Sequence, residues 1–158
     1  MEKNKEYFMR KALMLAKKSA DEGEIPVGAV IVKDGRIIAA GRNTREKSKN
    51  ALMHAEMQAI DKACKKLKGW RLIGCDMYVT LEPCPMCTGA IINSRIEKLF
   101  IGAEDKKAGA VLSVVPLFDF PFNHKPEVES GIIRDECAAV LSGFFKKLRI
   151  KTDFKINK

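Results

Sequence analysis

The sequence predicts an α/β fold, a mixed β-sheet with helices covering both faces. Segments with apolar residues at helical spacing alternate with short, apolar, β-prone runs. Asp34-Gly35 sits between two such runs and marks a tight hairpin, so the first two strands are antiparallel. Later runs are separated by helical segments, and that connection makes strands parallel.

The elements follow in order. Met1-Glu2-Lys3-Asn4-Lys5 leads into an amphipathic pattern and not into the apolar core of a signal segment. Residues 7–20 read as a helix, with Phe8, Ala12, Leu15, Ala16 and Ser19 on one face, and Gly23 ends it. Residues 26–32 form a nearly all-apolar strand, and 37–40 the return strand after the Asp34-Gly35 turn. A polar loop is expected over 44–50. Leu52, Ala55, Ala59, Ile60, Ala63 and Leu67 recur at helical spacing, giving a helix over 51–67. A buried strand lies within 72–81, around Met77-Tyr78-Val79-Thr80. Pro83 and Pro85 break it, and 86–92 reads as a second inner helix. Residues 98–103 are another strand. Residues 109–115 are either a fifth strand or an extended loop, and 116–126 an irregular loop. Residues 135–147 read as a helix, with Cys137, Val140, Leu141, Phe144 and Leu148 on one face.

A chain of 158 residues, 46% hydrophobic, supports one globular domain over 1–158. No apolar run is long enough to span a bilayer. Five cysteines, an odd number without disulfide-rich spacing, fit a reduced cytoplasmic setting. Cys64, Cys75 and Cys137 read as small packing residues. The formal net charge of +9 points to polyanionic partners, nucleic acid above all. Arg42, Arg45, Lys47 and Lys49 crowd one loop, and Lys146, Lys147, Arg149, Lys151, Lys155 and Lys158 the C-terminal end.

The residues that carry chemistry are His54-Ala55-Glu56 and Pro83-Cys84-Pro85-Met86-Cys87. Imidazole and thiolate suit Zn²⁺, and a catalytic zinc keeps three protein ligands with the fourth position open to water. His54, Cys84 and Cys87 supply three. Glu56 is then free to act as acid and base. A closed zinc knot would need a fourth donor from Cys64, Cys75, Cys137 or His124, and none of those cysteines has a partner at C-x-x-C spacing. The three-ligand, catalytic reading is therefore preferred. Both cysteines fall at a strand-to-helix turn, where the helix N-terminus and a metal each favour thiolate.

The H-x-E and P-C-x-x-C pair is the known signature of zinc nucleobase deaminases. Further blocks are Pro26-Val27-Gly28-Ala29-Val30, Trp70-Arg71-Leu72, Tyr78-Val79-Thr80-Leu81-Glu82, Gly102-Ala103, Lys107-Ala108-Gly109-Ala110, Asn123-His124 and Glu136-Cys137-Ala138-Ala139. With these the chain resembles, over nearly its whole length, the bacterial tRNA-specific adenosine deaminases of the cytidine-deaminase-like superfamily. The resemblance implies a three-layer α/β/α fold with a central mixed five-stranded sheet. It implies one zinc per subunit, a homodimer, and deamination of the wobble adenosine in an anticodon loop, that of an arginine tRNA. Under it, zinc activates a water, Glu56 shuttles the proton, Asn43 contacts the flipped base, and Asp105, Lys107 and Phe145 approach the RNA. Two departures stand out: Asn50-Ala51-Leu52-Met53 where many relatives have Asp-Pro-Thr-Ala, and Leu112 where glycine is usual.

Two other functions fit the same residues. A deaminase of a free base or nucleoside shares the zinc chemistry but needs no basic rim. A zinc-stabilised RNA-binding module needs the basic rim but has no use for Glu56.

Overall fold

The computed structural model describes residues 4–157. The 1–3 part of the N-terminal stretch and Lys158 of the basic C-terminal cluster lie outside the described residues. Helix α1 (Lys5–Asp21) starts where the Asn4 side chain accepts a hydrogen bond from the Tyr7 N–H, and buries Phe8, Met9, Ala12, Leu13, Ala16 and Ser19. Strand β1 (Gly28–Lys33) turns into β2 (Arg36–Arg42) through Asp34 and Gly35, with φ of 49° and 70°. Positive φ at both central residues is the twist-matched hairpin turn that Asp-Gly favours. Then come α2 (Arg45–Ser48), α3 (Ala55–Leu67), β3 (Cys75–Leu81), α4 (Pro85–Ser94) and β4 (Lys98–Ala103). A 3₁₀ turn (Leu117–Asp119), β5 (Glu127–Ser130) and α5 (Arg134–Ile156) complete the chain.

The sheet order is β2-β1-β3-β4-β5. β1 pairs antiparallel with both β2 and β3, whereas β3–β4 and β4–β5 are parallel. The mixed five-stranded sheet is as expected. Alternation along β1 sends Val30 and Val32 to one face and Ala29 and Ile31 to the other. The first face packs on α1 and α5 with Phe8, Met9, Tyr78, Phe100 and Cys137, the Tyr78 and Phe100 rings stacked 4.4 Å apart. The second packs on α3 and α4 through Ala55, Ala59, Ala63 and Ile91. Three layers result.

Two glycines set the layer spacing. A Cβ on Gly28 would run into the Ala12 carbonyl of α1, and one on Gly41 into the Ala55 carbonyl of α3. Each helix rests directly on strand backbone.

Several boundaries differ from the expectation. Residues 109–115 are turns and not the fifth strand; that strand is Glu127–Ser130, laid parallel on β4. The polar loop over 44–50 contains the one-turn α2. α3 begins at Ala55, so Leu52, 52% exposed, lies before it. α5 runs on to Ile156, and Leu148 on its expected apolar face is exposed.

Candidate active site

One edge of the sheet gathers the chemistry. β2 and β3, together with β4, end there, and β1 begins there, as the pairings Gly28 with Arg42 and Leu81 with Ala103 show. The α3 and α4 N-termini meet at this edge. His54 is the N-cap of α3 and Cys84 the N-cap of α4, with Pro85 starting that helix and Cys87 in its first turn. The approach to His54 is fixed by polar contacts. The Asn50 side chain accepts from the Leu52 N–H, the Met53 carbonyl accepts from the Thr44 N–H, and the Gln58 amide donates to the Arg42 and Met53 carbonyls. Asn50 thus makes its own Asx turn, and the departure at 50–53 leaves a well-tied segment.

Both Sγ atoms, of Cys84 and of Cys87, lie 3.6 Å from His54 Nδ1. Zinc bonds of about 2.3 Å to sulfur and about 2.0–2.1 Å to nitrogen, at tetrahedral angles, put sulfur and nitrogen about 3.6 Å apart. The three donors therefore fit a zinc ion; all their ligand atoms lie within 4.8 Å of one another. No fourth protein donor joins this group among the described residues. Cys64, Cys75 and Cys137 are elsewhere and form no disulfide.

The groups of the cluster perturb one another in opposite directions. The Cys84 thiol is drawn down to about 4, first by its hydrogen bond with Cys87 and then by His54. Cys87 is pushed up by the same bond and by burial. The bond with Cys84 raises His54. Burial lifts the Glu56 carboxyl to about 7, and Glu56, 4% exposed, shares a side-chain hydrogen bond with Cys87.

A cavity of about 210 Å³ opens over this cluster, lined by Ile25, Val27, Asn43, Arg45, His54, Glu56, Cys84, Asp105 and Ala108, among others. It is smaller than the roughly 300–1,000 Å³ of drug-sized sites and suits one flat heterocycle. Asn43 lies in its wall, donating to the Ile25 carbonyl and accepting from the Arg45 N–H. Asp105 is also in the wall, its Oδ1 accepting from the Lys107 and Ala108 N–H groups. Lys107 and Phe145 are not among the lining residues; Phe145 sits on α5, edge-on to Phe144. Within the basic loop, Arg42 is tied up with Glu22, while Arg45 faces the cavity.

Two buried carboxylates escaped the sequence reading. Glu24, 1% exposed, accepts from the Glu46 and Lys47 N–H groups and so caps α2. Glu82, 2% exposed, gathers the N–H groups of Asp105, Val111, Leu112 and Ser113 and the Ser113 hydroxyl. Burial opposes its charge, but the Ser113 hydroxyl and these N–H groups outweigh that and hold its carboxyl below the usual range. Leu112 contributes only its N–H, with a negative φ and an exposed side chain, so nothing there calls for glycine. Position beside Cys84 was the one local signal for Glu82; Glu24 had none.

The MafB19-like deaminase family model matches residues 3–149. A Bacillus subtilis protein named tRNA-specific adenosine deaminase is 49% identical over 147 residues, 92% of this chain and 91% of the relative. One of the same name from Aquifex aeolicus is also 49% identical, covering 92% and 96%. A solved structure from a study of A-to-I editing by tRNA:A34 deaminases superposes with a TM-score of 0.83 at 45% identity, covering 85% of this chain and 99% of that one. A Bacillus subtilis guanine deaminase structure gives a TM-score of 0.62 at 47% identity, covering 65% and 66%.

Proposed function

Because this chain belongs to the MafB19-like deaminase family, grouping there with the tRNA-specific adenosine deaminases, we propose that it converts adenosine to inosine at position 34 of a tRNA, an arginine tRNA in particular. The observation that carries the reading is the His54, Cys84 and Cys87 cluster at 3.6 Å sulfur–nitrogen spacing, with Glu56 buried beside it in a base-sized cavity.

Zinc held by His54, Cys84 and Cys87 would supply Lewis acidity, bringing a water to a pKa on the order of 7. Glu56 is not needed as a ligand; its carboxylate would take a proton from the attacking water and pass it to the adenine ring nitrogen as oxygen adds at C6, then pass a second proton to the amino group, which leaves as ammonia when the C6–N bond breaks. Asn43 orients the base by its side-chain amide. Arg45 at the mouth holds a phosphate of the anticodon loop, whose single strand can splay a base into the cavity. Asp105, Lys107 and Phe145 would serve the flanking nucleotides, the last two from outside the cavity. The outward side of α4, with Met86, Gly89, Ala90 and Asn93 all at least partly exposed, is the face that meets a second copy in the homodimer we propose. No helix among the described residues is long and apolar enough to cross a membrane; a cytoplasmic setting is the one in which the proposed tRNA substrate is met.

The test incubates zinc-loaded protein with an arginine tRNA transcript carrying adenosine at the first anticodon position, followed by sequencing for inosine. Conversion at that position alone is expected. Conversion only of free guanine or cytidine would move the chain to small-molecule deamination, and RNA binding without ammonia release would make it a binding module.

A further inference from the structure

The mouth of the cavity has a wall with no regular secondary structure, the 105–113 segment, which nevertheless carries Asp105 and Ala108 into the lining. A segment of this kind has no ladder to fix it. Turn hydrogen bonds fold it locally, and one side chain, Glu82, ties both of its ends together. We propose that Glu82 is a positioning residue for the substrate: its buried carboxylate holds the 105–113 segment as a rigid jaw that grips the nucleotide entering the cavity.

The bonding is unusually complete. Oε2 accepts from the N–H groups of Val111, Leu112 and Ser113 at 3.2, 2.9 and 2.9 Å. Oε1 accepts from the Asp105 N–H at 3.1 Å and from the Ser113 hydroxyl. Both ends of the jaw are thus pinned to one group, and every donor is neutral. Only an ionised carboxylate offers acceptors alone on both oxygens. The fit is tight enough that a Cβ on Gly109 would overlap the carboxylate. Two further bonds run along the same path, Glu82 N–H to the Ala103 carbonyl and Ala110 N–H to the Pro83 carbonyl, both 2.8 Å.

Position in the chain gives this clamp its meaning. Glu82 is two residues before Cys84. The jaw is therefore measured from the same short backbone stretch that carries a metal ligand, and substrate grip and reacting centre share one reference point. Binding contacts made equally in ground and transition state govern KM and not kcat.

The inference rests on the proposed RNA substrate, and Glu82→Gln tests it. The amide puts a donor where the jaw presents donors, so at least one N–H loses its partner. Amide exchange at Asp105, Val111, Leu112 and Ser113 should accelerate, and KM for an anticodon stem-loop should rise about tenfold. Zinc should stay at one per chain and kcat within about twofold. Unchanged exchange and KM, or a fall in kcat together with lost zinc, would overturn the proposal. Ser113→Ala removes one donor and leaves the ligand stretch untouched; a rise in KM of about two- to threefold is expected. Should Glu82→Gln not fold, an unchanged KM in Ser113→Ala overturns the proposal by itself. Exchange needs no substrate. Wild-type protein that bound and deaminated no RNA would reject the functional reading, and the exchange result would still decide whether Glu82 holds the jaw.

Discussion

Gly41→Ala is the most informative single substitution for the scaffold, because the geometry states what must move. Gly41 lies in β2 directly beneath the first turn of α3. A Cβ built there falls 2.2 Å from the Ala55 carbonyl oxygen, 2.9 Å from the Ala59 nitrogen and 3.0 Å from Gln58 Cβ. Two of these are backbone atoms, so no rotamer change relieves the clash. To reach 3.0 Å, the floor for such contacts, the helix must withdraw by about 0.8 Å. His54 and Glu56 ride on that turn, whereas Cys84 and Cys87 sit on α4 and are not pushed. A workable metal site tolerates about ±0.2 Å in its ligand distances. The shift is several times larger. Overpacking of this kind costs about 1–3 kcal/mol, a fall in melting temperature of roughly 2–12 °C for a protein of this size. Turnover should fall on the order of 100-fold, as expected for reacting groups displaced by about an ångström. The assays are calorimetry, zinc competition against a chromogenic chelator, and A-to-I conversion. Gly143→Ala on α5 is the matched control, since a Cβ there meets nothing within 4 Å, and it should be neutral or stabilising by up to about 1 kcal/mol. Wild-type melting and zinc affinity in Gly41→Ala would refute the argument that close helix–strand approach sets the site.

Other expectations follow from the site itself. Glu56→Gln should keep stoichiometric zinc while kcat drops by about 10²–10⁴-fold, the usual worth of a positioned acid/base; near-normal turnover would remove Glu56 from the chemistry. Chelation should leave Cys84 open to iodoacetamide at pH 8 while Cys137, 1% exposed and pushed up to about 12 by burial, stays unmodified. Peptide mass mapping reads this directly, and equal labelling of Cys84 with and without zinc would mean the ligand set is wrong. Arg45→Ala should weaken stem-loop binding uniformly across sequences and reduce the log–log salt slope by about 1. An unchanged slope would mean that Arg45 touches no phosphate.

What the sequence made legible follows the range of the interactions. The Asp34-Gly35 hairpin and the β4 strand at 98–103 are local signals, and both stand where expected. The site residues were legible for the same reason, since each motif lies within a few residues of a helix start. β5 was not. Its four residues, Glu127-Val128-Glu129-Ser130, carry one apolar side chain and are strand only because β4 offers an open parallel edge. α2 was missed because its cap, Glu24, comes from more than twenty residues upstream. α5 outruns its expected end because residues 148–156 bury almost nothing, so no apolar stripe announces them. Fifth-strand pairing and rim anchoring are tertiary facts, written in no window of the chain.

Backbone anchoring of the rim also bears on how such an enzyme can diverge. The Glu82 carboxylate recognises N–H groups, which every residue except proline supplies. Leu112 illustrates the tolerance: its side chain is free to vary because only its amide is used. Mutation can therefore sample new residues at exposed positions of this wall, such as 112, while the wall keeps its course and the ligands keep their places. Substrate preference becomes an inheritable variable largely uncoupled from the metal chemistry. Proline at 105, 111, 112 or 113, and any side chain at Gly109, are the changes this architecture forbids to drift.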